Sequence, residues 1–180
     1  MRTDRIYLTG FMGSGKSTVA PRLARGLGYD MIDLDQEISR HTGLSIPAIF
    51  ELYGEQRFRD EERAMLHSSG MQERTVVSLG GGTLVDPANL AWCLEHGALV
   101  YLRASAAFLA SRLAASKRDR PLLFDADGQQ LTSDALRKRV ADLLASRRPV
   151  YEQAHITIDI DAVPVAKVVK RIREELANVG

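Results

Sequence analysis

Gly10-Phe11-Met12-Gly13-Ser14-Gly15-Lys16-Ser17 follows the pattern G-x-x-x-x-G-K-[ST], which gathers the parts of a phosphate site into one short loop. Its glycines let the backbone take conformations closed to other residues. Successive N–H groups then turn inward around β- and γ-phosphates at the positive end of the next helix. Lys16 adds a mobile ammonium, the Ser17 hydroxyl is placed to ligate Mg²⁺, and Thr18 serves the α-phosphate. Such a loop works only between a strand and a helix, and here the apolar run Ile6-Tyr7-Leu8 precedes it and a helical stretch follows. A nucleoside triphosphate held by Gly13, Ser14, Gly15, Lys16, Ser17 and Thr18 is therefore expected.

A phosphate loop serves motors, switches and small-molecule kinases alike, so other residues must choose among them. Asp33-Leu34-Asp35 ends a strand-like run, and period-two geometry puts both carboxylates on one side of the chain, at the sheet edge where ligands bind. Asp33 is the candidate to assist Mg²⁺, because no other predicted strand ends in a carboxylate, and Asp35 is left to meet an acceptor hydroxyl. Local sequence serves equally well a reading in which Asp35 caps a helix over Gln36–Arg40 and Asp33 is a turn residue. Gly80-Gly81-Gly82 follows the buried run Val76-Val77-Ser78-Leu79 and allows close backbone approach to a ligand, or simply makes a flexible corner.

In Phe58-Arg59-x-x-Glu62, helical i,i+3 spacing lets Glu62 orient the Arg59 guanidinium, which can then clamp a carboxylate through two parallel bonds. The same helix carries Glu51, Glu55, Arg57, Asp60, Glu61 and Arg63, so local sequence favours a solvated ion-pair face. Later in the chain Arg112, Lys117, Arg118 and Arg120 flank an aperiodic stretch, with Pro121 stiffening the turn. Arg147 and Arg148 close a helix just before Pro149. Arginines of a lid neutralise a transferring phosphoryl group and exclude water. A helix C-terminus attracts Arg147 and Arg148 without any ligand.

These groups need a scaffold, and strand-length apolar runs alternating with helical patterns predict a parallel sheet wrapped by helices. The predicted strands are Arg5–Leu8, Met31–Asp33, Thr75–Leu79, Ala98–Leu102 and Ile156–Ile160. Helix ends are marked by Ser105 before Ala106–Ala115, by Asp86-Pro87 before the Trp92 helix, by Ser133 opening a run to Ser146, and by Gly70 closing Gln56–Ser69. Val165, Val168, Val169, Ile172 and Leu176 form the apolar stripe of a last helix. Pro21 falls inside the helix after the phosphate loop and predicts a slight kink. The charged stretch from Ser116 to Gln130, with the turn Asp125-Ala126-Asp127-Gly128, is a candidate lid whose spacing is wrong for a calcium loop.

With 180 residues and 45% apolar composition the chain suits one core, hence a single domain over 1–180. A formal charge of +1 gives no case for nucleic acid or an anionic membrane. Cys93 is the only cysteine, which excludes a disulfide framework and a thiolate cluster. The four histidines (His41, His67, His96 and His155) show no metal-ligand spacing. No signal-like start or bilayer-length apolar run is present, and no apolar stripe is left over for a partner. A cytoplasmic monomer acting on small molecules is the expectation.

Taken together, the motifs resemble those of the shikimate kinase family: Gly10–Thr18, Asp33-Leu34-Asp35, Ser45–Phe50 into Gly54-Glu55 and Phe58-Arg59-x-x-Glu62, Leu79–Thr83, Arg120-Pro121-Leu122-Leu123, and Arg147-x-Pro149-x-Tyr151. The resemblance covers nearly the whole chain. It implies an α/β, three-layer P-loop NTPase fold similar to nucleoside monophosphate kinases, with a five-stranded parallel sheet in the order 2-3-1-4-5 and a mobile lid near 112–130. The implied reaction moves the γ-phosphoryl of MgATP to the 3-hydroxyl of shikimate, on the route to chorismate and aromatic amino acids. Carried over by position, Lys16 and Arg120 would serve the phosphates, Ser17 and Asp33 the Mg²⁺, and Arg112 the adenine. Asp35, Arg59, Gly80, Gly81, Gly82 and Arg147 would hold shikimate, within an acceptor region near 33–62 and its neighbours. The stretch from Asp125 to Leu131 is longer than in the shortest family members. A gluconate-type kinase of the same fold is the runner-up. A nucleotide switch is disfavoured because no Asn-Lys-x-Asp motif is present, and a relative without catalysis is disfavoured because every motif residue is in place.

Overall fold

The computed structural model describes residues 3–69, 71–116, 124, 129 and 131–179. In chain order the elements are β1 (Arg5–Thr9), α1 (Lys16–Leu27), β2 (Asp30–Asp33), α2 (Leu34–Thr42), α3 (Ile46–Ser69), β3 (Thr75–Ser78), α4 (Pro87–His96), β4 (Ala98–Arg103), α5 (Ala106–Ala114), α6 (Ser133–Tyr151), β5 (Ile156–Asp159) and α7 (Val165–Val179). A 3-10 turn over Thr83–Val85 precedes α4.

The five strands form one sheet in the order β2-β3-β1-β4-β5 with every pairing parallel. Each pairing therefore needs a crossover, and helices supply it on both faces. Ile6 and Leu8 of β1 point to one face, where α1, α5, α6 and α7 contribute Leu23, Leu109, Val140 and Ile172. Tyr7 points to the other, beneath Ile38 of α2, Leu66 of α3 and Cys93 of α4. On α7 the predicted stripe is the covering face, with Val168, Ile172 and Leu176 buried. Burying both faces explains the nearly continuous burial of the central strands β1, β3 and β4, whereas the edge strand β5 alternates buried and exposed residues.

Register sets the site. Asp33 of β2 pairs with Ser78 of β3, and Ser78 pairs with Leu8 of β1, so all three lie at one level of the sheet. At about 4.8 Å per strand, this puts Asp33 about 10 Å from Leu8, two residues before the phosphate loop.

Several boundaries differ from expectation. Helix α6 does open at Ser133 as expected, with Thr132 before it as the cap, its hydroxyl accepting from the Ala135 N–H at 3.3 Å. The helix then runs through Pro149 to Tyr151, so Arg147 lies inside it and Arg148 in its last turn. Pro149 loses only the bond to the carbonyl of Ala145, and tertiary contacts of Tyr151 hold the last turn. Strand β5 ends at Asp159, contrary to the expectation that only β2 ends in a carboxylate. That carboxylate is bound by Arg103 at the far edge of the sheet. Helix α3 begins ten residues before the predicted Gln56 and bends at Gly54, whose φ of 79° and ψ of 174° suit glycine alone.

Candidate active site

Between β1 and α1 the chain turns tightly, with φ of 84° at Gly13 and 95° at Gly15. Gly15 is also the N-cap of α1 and brings no capping side chain, and the positive end of that helix borders the cleft. Lys16 folds across the loop, its Nζ donating to the Gly10 carbonyl at 2.6 Å. Arg112 of α5 stands over the loop end, its Nη1 3.4 Å from where a β-carbon on Gly15 would lie. Ser14, by contrast, is buried and does not line the cleft.

The two carboxylates of Asp33-Leu34-Asp35 have different jobs, and the capping assignment is the reverse of the alternative drawn from local sequence. Asp33 caps α2, its Oδ1 accepting from the Gln36 N–H at 3.3 Å. Asp35 lies in the first turn of that helix and points to the glycine triplet. A β-carbon on Gly80 would meet its Oδ1 at 2.9 Å. Burial pushes the Asp35 carboxyl above its usual range. The charges of Asp33 and Glu62 push it further, against the pull of Lys16 and Arg59.

Arg59 is not part of a solvated ion-pair face. Its Nη1 donates to Glu62 Oε2 at 2.8 Å, and Glu62 is 1% exposed. The other oxygen of Glu62 accepts from the Thr83 hydroxyl at 2.6 Å, and the Thr83 carbonyl accepts from the Asn89 amide at 3.0 Å. Glu55, an exposed residue, binds Arg59 from the solvent side through Nε at 3.2 Å and Nη2 at 3.0 Å. Desolvation opposes the guanidinium charge, but Glu62 and Glu55 outweigh it and raise the Arg59 pKa.

Arg147 arrives from the opposite wall, on α6. Its Nη1 donates to the Gly81 carbonyl at 3.0 Å, and Tyr151, one turn later, donates its hydroxyl to the same oxygen at 2.5 Å. None of Gly80, Gly81 and Gly82 has a positive φ, and only at Gly80 would a β-carbon be too close to its neighbours. At Gly82 a β-carbon would lie 3.5 Å from the Arg59 guanidinium nitrogens and 3.8 Å from Arg147 Nη2. Two cations thus converge on one glycine, an arrangement that an anion between them would stabilise.

A single cleft of about 810 Å³ joins these parts. The loop residues Gly13, Gly15, Lys16, Ser17 and Thr18 line one end with Arg112. Asp33, Asp35, Arg59, Gly80, Gly81, Gly82 and Arg147 line the rest. Ile46, Phe50 and Phe58, which motif reading passed over as ligand contacts, add an apolar wall, with Phe50 and Phe58 rings 4.8 Å apart. Arg120, Lys117, Arg118 and the Asp125–Gly128 turn lie outside the described residues. No cluster of histidine, cysteine and carboxylates able to hold a metal alone occurs among the described residues. No helix there is long and apolar enough to cross a membrane.

Thr83, Asn89 and Tyr151 are the parts that motif reading did not assign. Nothing local marks Asn89, while Thr83 and Tyr151 have only their places in Leu79–Thr83 and Arg147-x-Pro149-x-Tyr151 as a signal.

Comparison with known proteins bears on the chain as a whole. The family model described as "Shikimate kinase" matches residues 12–177. The shikimate kinase of Salinibacter ruber is 49% identical over 94% of this chain and 83% of its own length. That of Chlorobium chlorochromatii is 43% identical over 95% and 90%. Among solved structures, the shikimate kinase of Bacteroides thetaiotaomicron superposes with a TM-score of 0.88 at 33% identity, covering 96% of this chain and 98% of its own. The Acinetobacter baumannii enzyme in complex with shikimate gives 0.85 at 33% identity over 98% and 94%. A gluconokinase from Sinorhizobium meliloti, at 21% identity and a TM-score of 0.57, shares the fold alone.

Proposed function

The chain belongs to the shikimate kinase family, and from that premise we propose how its cleft moves the γ-phosphoryl of ATP to the 3-hydroxyl of shikimate, yielding shikimate 3-phosphate and ADP. The observation that carries the assignment of the acceptor end is the convergence of Arg59 and Arg147 on Gly82, with Asp35 beside Gly80. A small acid suits that geometry, with its carboxylate between the guanidinium groups and its ring hydroxyls toward Asp35.

The phosphates of ATP lie in the loop from Gly13 to Thr18, with Lys16 turning from the Gly10 carbonyl to the β- and γ-phosphates. Arg112 stacks on the adenine. Ser17 and Asp33 line the same cleft, and their hydroxyl and carboxylate are hard oxygen donors that fit Mg²⁺ and would hold it there. When bound, the ion neutralises charge on the phosphate oxygens.

In the reaction the bond from the γ-phosphorus to the bridging oxygen breaks, a bond to the shikimate 3-oxygen forms, and the hydroxyl proton leaves. Asp35 positions that hydroxyl and is the carboxylate placed to accept the proton. Because the transition state is loose, charge neutralisation by Lys16 and Arg120 outweighs proton removal. Residues 1–180 act as a single cytoplasmic domain and a monomer, with its acceptor region near 33–62.

ADP release from MgATP, measured with shikimate, gluconate or no acceptor, tests this reading. Shikimate-dependent release is expected. Equal or faster release with gluconate would overturn the acceptor assignment.

A further inference from the structure

We propose that Tyr151 is a positioning residue for the acceptor, one that holds the Gly81 carbonyl and through it the guanidinium of Arg147. This rests on the reading of Arg147 as a ligand of the shikimate carboxylate.

The sequence Arg147-x-Pro149-x-Tyr151 puts an arginine and a tyrosine four residues apart on α6, hence on one face of the helix. Both side chains end on the same oxygen. The Tyr151 hydroxyl reaches the Gly81 carbonyl at 2.5 Å and Arg147 Nη1 reaches it at 3.0 Å, across 70 and 66 residues of chain. A carbonyl oxygen has two lone pairs, and here each has its own donor. With one donor the carbonyl could pivot about its partner, but with two its direction is fixed.

Three consequences bear on the acceptor. First, the Gly81 carbonyl is spoken for by α6, and the planar trans peptide then turns the following Gly82 N–H away from that helix. Second, Arg147 uses Nη1 on the carbonyl and keeps Nη2 beside Gly82, where the Arg59 guanidinium also arrives. Third, the anchor is rigid. Tyr151 is 1% exposed and its ring packs on that of Tyr101, with centroids 5.1 Å apart. Tyr101 belongs to β4, so the hydroxyl is referenced to the sheet and not to a surface side chain. Burial also pushes the phenol up to about 12, against the lowering effect of Arg147, which keeps it a donor throughout the working pH range. The aromatic ring therefore serves the core while its one polar atom serves the site.

The test is a double-mutant cycle on the full chain, read as separate KM values for shikimate and ATP. Tyr151→Phe keeps the ring and removes the donor. It is expected to raise the shikimate KM about tenfold while the ATP KM stays within about twofold. In an Arg147→Ala background the same change is expected to add less than about twofold, because its effect passes through Arg147. Replacing Tyr151 by p-aminophenylalanine, which restores an N–H donor at the ring tip, is expected to recover the shikimate KM to within about threefold of native. If Tyr151→Phe is too unstable to assay, this third protein carries the test alone.

The proposal is overturned by an unchanged shikimate KM in Tyr151→Phe, by an equal loss with and without Arg147, or by a folded p-aminophenylalanine protein that recovers nothing. An unchanged shikimate KM in Arg147→Ala is a different failure. It would remove Arg147 from the acceptor site, and with it the premise.

Discussion

Glu62 binds Arg59 at 2.8 Å from a position almost closed to water, while Arg59 itself keeps 29% of its side chain exposed. The carboxylate is thus the fixed partner and the guanidinium the one that reaches out. Replacing Glu62 by Gln removes the charge but little volume, leaving Arg59 to the exposed Glu55. Steady-state kinetics are expected to show kcat/KM for shikimate down about 10- to 100-fold, with the ATP KM nearly constant. The exposure of Arg59 limits the loss of stability in a urea titration to about 1–2 kcal/mol, below the cost of breaking a fully buried pair.

Thr83 supplies the second bond to Glu62, at 2.6 Å, and is itself fully buried. Thr83→Val is nearly isosteric and leaves one carboxylate oxygen without its donor, at a cost of about 1.5–3 kcal/mol. For a chain of this size that lowers Tm by about 3–12 °C. Thr83→Ser retains the hydroxyl and is expected to keep most of the shikimate affinity, which separates the bond from the packing of the methyl group. Calorimetry and the shikimate KM of the two variants check this.

Asp35 pays a cost for its place. Burial raises its folded pKa, so the protonated form is the one the fold prefers. The sign follows from linkage: the stabilising contribution is full below the ordinary carboxylate pKa and is lost as pH rises through the raised folded value. At pH 7 Asp35→Asn therefore removes a destabilising charge. A gain of about 1 kcal/mol would raise Tm by about 3 °C at neutral pH, shrinking toward zero in acid, while shikimate turnover collapses. In the native enzyme the acidic limb of kcat/KM is expected above the ordinary carboxylate range. Melting curves and rate profiles over the same pH series test both statements.

Gly80 has no room for a side chain. A β-carbon there would press on Asp35 Oδ1 at 2.9 Å, Thr83 Oγ1 at 3.0 Å and Glu62 Oε1 at 3.3 Å. Gly80→Ala is expected to displace the acceptor carboxylate and lower kcat/KM for shikimate by about 100-fold, with ATP binding retained. Isothermal titration with each ligand resolves the two.

Legibility followed the range of the contacts. The phosphate loop is local, and its glycines, Lys16 and Ser17 announce their chemistry within eight residues. The strand order was accessible through the family resemblance alone, because hydrophobic runs do not say which strand pairs with which. Local reasoning judged Arg59 a surface ion pair since nothing within its helix shows that Glu62 is roofed by Thr83, 21 residues on. It also ended α6 just before Pro149, because propensity counts the lost N–H and cannot count the anchor that Tyr151 finds across 70 residues. Asp33 and Asp35 were ambiguous for a similar reason: either can cap a helix, and only the position of Gly80 separates them.

The bend at Gly54 divides α3 into two helical segments with independent phase. Residues 46–53 and residues 55–69 do not share one 3.6-residue count, so a length change in the first need not rotate the second. The direction in which Arg59 aims is thereby insulated from variation upstream. An acceptor pocket can be resized by insertions or deletions ahead of residue 54 without loss of its cationic clamp.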